Sequence, residues 1–275
     1  MTTRYTRDGK TTAYLVLAFA AILSVGPFVF LVNTSFHHTY TLSSLLSDFF
    51  RQMSLRNYSY LIFSTLFSRW LLNSAIVTAA TICIVLLIDS LAGYTFAKKT
   101  FPGKNIIFYV LLATLMVPLI VTFLPIYLTI ARLRLSNTYV GVILPALASP
   151  VGVFMMRQYM ETIPSELIEA ARMDGTSEFT IFLRIILPVC RSPLAMLAIY
   201  TFLVQWNNFL WPLIVTTTKD MYTLTVGLSS IPVRSYTDWG LATACAVLSI
   251  VPILVMFLLF QTQFIEGMTG SVLKG

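Results

Sequence analysis

Charge is what this 275-residue chain has least of: Asp, Glu, Lys and Arg make up 11% of it, against 57% apolar residues. A soluble domain carries about 25% charged residues. With a mean hydropathy of +0.82, no soluble core of this size hides so much apolar surface. A soluble globular domain is therefore excluded, and an integral membrane protein is predicted. Cysteine is scarce as well. Cys83, Cys190 and Cys245 are an odd, isolated set, which argues against a disulfide framework and reads as small apolar filling. The two histidines, His37 and His38, are adjacent in a polar stretch with no third ligand nearby, so they read as solvated and no metal site is expected. No nucleophile–base pair stands in a plausible site, and no enzyme activity is expected.

A phosphate-binding Walker A loop is missing too. Gly9-Lys10-Thr11 has its last three residues, but Arg4 stands where the first glycine belongs; Gly103-Lys104 lacks both the upstream glycine and the hydroxyl. No ATP is expected to bind this chain. The net charge of +7 is spread along the sequence rather than clustered, so no nucleic-acid partner is expected.

What the chain has is apolar runs long enough to cross a bilayer, which takes about 20 residues as a helix. Six are predicted, at roughly 14–33, 70–97, 106–130, 139–159, 185–209 and 241–264, giving an all-α integral membrane fold with six transmembrane helices and a single transmembrane domain over 1–275. The first is read as an uncleaved span, because it is longer than a secretory signal core and no small-residue cleavage pattern follows it. Prolines recur within these runs (Pro27, Pro118, Pro125, Pro145, Pro150, Pro193 and Pro252), and neighbouring helices can satisfy the backbone groups they free. With the amino terminus inside, eleven basic residues fall on the inner side and seven on the outer. That places both termini and the 160–184 loop in the cytoplasm, with outer loops at 34–69 and 215–240.

The most informative stretch is polar. Residues 164–178 read PSELIEAARMDGTSE, followed by Ile185, Leu187 and Pro188. Pro164 suits a first helical turn, Glu166 complements the helix dipole, Gly175 supplies a left-handed stop, and Thr176 or Ser177 caps the next helix. A short coupling helix is predicted within 165–178. Glu169 would project from its middle, beside a shallow surface of Ala170 and Ala171, with Asp174 fixing the turn.

Glu169-Ala170-Ala171, Gly175 after three residues and Ile185-x-Leu187-Pro188 after nine more form the EAA-x3-G-x9-I-x-L-P spacing. On it the chain resembles the permease subunits of ABC importers, the type I importer-like membrane proteins. Further segments resemble the maltose-type, carbohydrate-importing branch: Phe202 to Leu213, Tyr222 to Gly227, Thr237-Asp238-Trp239, the tail from Phe264 to Gly275, Asn73-Ser74 and Phe101-Pro102-Gly103. The resemblance covers roughly residues 70–275. It implies half of an alternating-access path in a bacterial or archaeal cytoplasmic membrane. The implied partners are a second homologous permease subunit in a heterodimer, a dimer of ATP-binding subunits using ATP and Mg, and an extracytoplasmic sugar-binding protein. In that family the Glu169 helix docks into a groove on the ATPase, the 216–240 loop reaches toward the binding protein, and the 267–275 tail lies between the ATPase subunits.

Trp206, Asn207, Asn208 and Trp211 combine flat rings with amides, which suits the C–H faces and hydroxyls of a sugar in the path or a binding-protein contact; they also fit an aromatic belt at the membrane boundary. Asp89 is an intramembrane carboxylate and hence a candidate polar site, read first as a bond to a neighbouring helix. Two alternatives to sugar import stand: the same machine carrying a glycerol-phosphate-type or other polar solute, and a secondary transporter driven by protons through Asp89.

Overall fold

The computed structural model describes residues 7–37, 53–231 and 239–269, with side chains over 13–37, 53–231 and 239–261. Every regular element among them is helical. They group into two compact units, one from residues 1–67 and 230–252, the other from 68–229 and 253–275.

The first unit begins with α1 (Arg7–Ser35). Every residue from 13 to 30 is exposed, Tyr14, Phe19 and Ile22 by about 70%. Apolar side chains without protein contacts fit a bilayer as their solvent. Part of the expected outer loop at 34–69 is helical: α2 (Arg56–Ser64) packs beneath the end of α1. Asn57 Nδ2 donates to the carbonyls of Ser35 and His37 at 2.9 and 3.0 Å. His37 is buried rather than solvated, its Nδ1 2.8 Å from the Asn33 carbonyl; His38 lies outside the described residues.

The second unit is built on α3 (Phe67–Lys98), the longest helix, with its Trp70 end at one face and its Lys98 end at the other. The next three apolar runs are each interrupted. α4 (Lys104–Ala113) and the tight turn Thr114–Met116 meet α5 (Leu119–Arg132) at a bend of 103°. α6 (Tyr139–Ile143) and the turn Leu144–Ala146 meet α7 (Pro150–Glu161) at 48°. α8 (Ser165–Met173) then precedes α9 (Glu178–Ile181), a π turn (Phe182–Ile186) and α10 (Leu187–Val189), which meet α11 (Arg191–Trp206) at 82°. The chain continues through α12 (Leu210–Val215) and α13 (Leu224–Ser229), and ends in α14 (Trp239–Thr269). Three runs expected to be single spans are thus broken ones. Pro118 and Pro150 sit at two of the breaks, where proline removes a helix-continuing N–H and holds its predecessor out of the α region.

Packing of this unit is set at two levels. At the Lys98 end, Tyr94, Met156, Met160, Ile168, Ile181, Phe182 and Ile186 form one buried cluster; toward the Trp70 end, Val77, Ile130, Val142, Ile143, Trp211 and Val215 form another. α3 and α7 approach closely because Gly93 faces the Met156 backbone, where an added Cβ would stand 2.9 Å from Arg157 N. Small residues at helix contacts allow such approach within membranes.

Candidate functional site

The short helix α8 has clear stops at both ends. Pro164 occupies the capping position itself, one residue earlier than the first helical turn. At the other end Gly175 has φ +75°, Gly175 N–H donates to Arg172 O at 2.9 Å and Thr176 N–H to Ala171 O at 3.1 Å. This double bond pattern is the Schellman ending, which needs a left-handed residue. The Ser177 hydroxyl then caps α9 by accepting from Thr180 N–H. Ile168 and Ala171 are the buried residues of α8, so Ala171 anchors the helix to its own chain instead of widening the shallow outer face. Glu169, Ala170, Asp174 and Gly175 are exposed, and beside them stand two residues that the sequence reading passed over, Leu167 at 43% and Met173 at 89% exposure. Leu167, Ala170 and Met173 recur every three residues, one stripe of the helix, with Glu166 and Glu169 on the adjoining stripe. The exposed face of α8 is thus an apolar stripe edged by carboxylates.

A polar cluster ties α8 to α3. Glu178 accepts from Arg172 Nε at 2.7 Å and from the Tyr94 hydroxyl at 3.2 Å, and pairs with Lys99. The preceding residue, Lys98, donates to the carbonyls of Ile163 at 2.5 Å and Glu161 at 3.4 Å, just before α8 begins. None of these roles was legible beforehand, because 84 residues separate Tyr94 from Glu178.

Asp89 is fully buried in α3 and meets the break between α6 and α7. Its Oδ1 accepts from Ser149 N–H at 3.3 Å, and Ser149 also caps α7 through its hydroxyl. The carboxylate thus lies at the N-terminal end of α7, where the helix dipole favours negative charge. Asp89 Oδ2 has no hydrogen-bond partner among the described residues and sits against Gly152, where an added Cβ would be 2.1 Å away. The expected bond to a neighbouring helix is therefore present.

Two of the three breaks, those before Leu119 and Pro150, border a cavity of about 400 Å³. Its walls include Leu115 and Leu119 from the first break, Pro145 to Val151 from the second (Leu147 apart), Thr81 and Val85 of α3, and Tyr200, Thr201, Gln205, Asn208 and Trp211. The volume falls within the range of small-molecule sites, about 300–1,000 Å³. Among the described residues that line it, hydroxyls and amides supply the polarity and none carries a formal charge. Gln205 is 6% exposed, and its Nε2 has no hydrogen-bond partner among the described residues.

The four aromatic and amide residues singled out by sequence separate here. Asn208 and Trp211 reach the cavity wall. The Trp211 indole N–H, however, is held by the Gly141 and Val142 carbonyls, both at 3.2 Å. Trp206 is buried and stacked on Phe202 at 5.4 Å, and exposed Asn207 turns back to the Leu203 carbonyl at 2.8 Å. Gln205, just before them in sequence, was missed because an amide within an apolar run carries no spacing signal. At the Trp70 end, two segments noted separately come together. Asn73 Nδ2 donates to the carbonyls of Asp220 and Tyr222 at 2.7 and 2.8 Å, and Leu224 N–H donates to Ser74 Oγ at 2.8 Å. Part of the 215–240 loop is therefore fastened to α3. Residues 232–238 and the 270–275 part of the tail lie outside the described residues. Among the described residues no group of His, Cys, Asp and Glu is arranged to hold a metal.

Comparison with known proteins gives a consistent set of likenesses. Residues 89–268 match the family described as binding-protein-dependent transport system inner membrane component. The chain is 38% identical over 263 residues to the arabinooligosaccharides transport system permease protein AraQ of Halalkalibacterium halodurans, covering 94% of each. It is 34% identical over 283 residues to the lactose transport system permease protein LacG of Rhizobium radiobacter, covering 99% of each. To the sn-glycerol-3-phosphate transport system permease protein UgpE of Yersinia pestis it is 36% identical over 210 residues, 76% of this chain and 75% of that one. Among solved structures, a chain of a bacterial ABC transporter involved in the import of the acidic polysaccharide alginate superposes with a TM-score of 0.83. At 19% identity, over 95% of this chain and 99% of that one, this is a likeness of fold.

Proposed function

The chain belongs to the family of binding-protein-dependent transport system inner membrane components, and from that premise we propose that it is a permease subunit of an ATP-driven importer of neutral sugars. It would form half of an alternating-access path, with a second homologous permease subunit as the other half. A separate dimer of ATP-binding subunits, using ATP and Mg, would drive it, and an extracytoplasmic sugar-binding protein would deliver the cargo. This chain itself would catalyse nothing. The excess of basic residues on the inner side, eleven against seven, supports a cytoplasmic placement for the Lys98 end and for both termini.

The observation that carries the reading is α8: a helix anchored by Ile168 and Ala171, with Leu167, Glu169, Ala170 and Met173 presented outward. Such a face seats in a groove on the ATPase, and Glu169 pairs there with a basic group. Closure of the ATPase dimer would draw the two α8 helices together, and the hinged helices would reopen the cavity toward the other side.

The cavity wall supports a neutral cargo. Hydroxyls and amides exchange hydrogen bonds with sugar hydroxyls, and apolar walls suit the C–H faces of the ring. A phosphate ester such as the sn-glycerol-3-phosphate named for the UgpE relative would meet no cation from this chain's lining. A proton-driven carrier working through Asp89 is the reading of another class, and a hydrogen bond to Ser149 gives that carboxylate a structural task instead.

The test is Glu169→Ala in the complete transporter reconstituted in liposomes. Sugar uptake is expected to fall about tenfold, the size of an ordinary coupling free energy, while the permease pair still inserts. Uptake at the wild-type rate would sink the docking role.

A further inference from the structure

We propose that Glu178 is a positioning residue, a clasp that fastens the exit of α8 to the Lys99 end of α3 so that movement of α8 is delivered along α3 to the cavity. The inference rests on the coupling role proposed for α8.

The anchorage of α8 is thin for an element under load. Ile168 and Ala171 are its buried residues, and two side chains of that size remove little apolar surface from water. Its ends are held by polar contacts instead, and both lead to α3. At the entry, Lys98 Nζ donates to the carbonyls of Ile163 and Glu161. At the exit, the Glu178 carboxylate joins Arg172 from the last turn of α8 to Tyr94 and Lys99 of the α3 end. Consecutive lysines thus grip the two ends of one short helix.

A lone exposed ion pair holds little. Here one exposed carboxylate serves a guanidinium, a phenol and an ammonium together, and of these partners Tyr94 is buried. The Tyr94 ring is buried against Phe182 at 5.6 Å, and Lys99 Nζ lies 5.6 Å from the centre of the Tyr94 ring. Shared networks of this kind stiffen more than separate pairs do. The route onward is a single helix: α3, unbroken over its 32 residues, leads from Lys98 beside the clasp past Asp89 and its bond to Ser149 to Val85 and Thr81 on the cavity wall. A continuous helix with polar bonds at the clasp and at Asp89 is a physical path for displacement, and its existence is decided by coupling measurements.

The experiment uses the complete transporter with its companion subunits and binding protein in liposomes, with lactose as the cargo probe. ATP hydrolysed per sugar imported is measured for the wild type, Glu178→Ala, Lys99→Ala and the double variant. Each single change is expected to raise the ratio about fivefold, with co-purification of the ATPase pair unchanged. The double variant should be no worse than either single one, because both remove the same link. Glu178→Gln, which keeps an acceptor oxygen, should fall between wild type and Glu178→Ala; should Glu178→Ala assemble poorly, it and Lys99→Ala make the same comparison. An unchanged ratio in both single variants, losses that multiply in the double variant, or loss of ATPase co-purification would each overturn the clasp, the last by making Glu178 part of the docking face. Wild-type uptake that persists without the ATPase pair would overturn the importer reading itself, and the clasp with it.

Discussion

A methyl group added at Gly152 would stand 2.1 Å from Asp89 Oδ2, while the other oxygen of that carboxylate holds Ser149 N–H at 3.3 Å. Asp89 thereby secures the start of α7 in a place where water is excluded. Its replacement separates a structural role from a proton-carrying one. Asp89→Asn retains the accepting oxygen and cannot ionise, so it is expected to import at the wild-type rate. Asp89→Leu leaves the Ser149 N–H unpaired, at about 1–3 kcal/mol, and should lower the unfolding temperature of the purified complex. Loss of uptake in the asparagine variant with normal assembly would point to proton transfer. That Asp89 bonds a neighbouring helix was legible from its setting in an apolar run; that the partner is Ser149, 60 residues on, was not. The tryptophans teach the converse. Trp206 and Trp211 have the right chemistry for a sugar, and the same chemistry serves packing. Only the three-dimensional contacts separate the two, through the stack on Phe202 and the carbonyls that hold the Trp211 indole.

At the scale of elements, the limits of α8 were readable because they are local, whereas its outward face was not: Ala171 is buried, and Leu167 and Met173 were passed over. Among those limits Gly175 at φ +75° is the clearest case. Gly175→Ala forces a side chain into the left-handed region at about 1–2 kcal/mol, loosening the Schellman ending; sugar imported per ATP in liposomes should drop. Gly175→Asn tolerates that conformation better and should keep most of the coupling. Equal uptake by both variants would mean that the ending is not needed. The interruptions in α4–α5, α6–α7 and α9–α11 were less legible. Mean hydropathy adds up apolar residues on both sides of a break and is blind to the angle between them, so each pair reads as one span. The prolines were visible, but a proline kinks some helices and ends others; α14 runs through Pro252 without a break.

For the whole molecule, the proposed function gives the uncharged cavity the task of accepting a neutral cargo. With the complete transporter, ATP hydrolysis in the presence of the binding protein should rise with lactose or an arabinose disaccharide and not with glycerol 3-phosphate. The reverse pattern would transfer the assignment to a charged solute. The six-helix, all-α architecture followed from composition and spacing, since burying this much apolar surface leaves a membrane helix bundle as the solution. The size and lining of the cavity did not, because its wall is gathered from stretches of chain more than a hundred residues apart, Thr81 to Trp211.

The broken helices also bear on how the protein is made. The segments Lys104–Met116 and Leu119–Arg132 hold 13 and 14 residues, or about 20 Å each at 1.5 Å per residue, against a hydrocarbon layer of about 30 Å. Neither can cross alone, and the backbone groups freed at the bend find no water in lipid. As the chain leaves the ribosome, this pair has to be threaded into the membrane well before Tyr200, Gln205 and Trp211, its later neighbours around the cavity, have been synthesised. The nascent protein must therefore pass through a stage in which its most interrupted span is also its least sheltered. Chain order thus makes the 117–118 bend before residues 200–211, its neighbours at the cavity, exist to cover it.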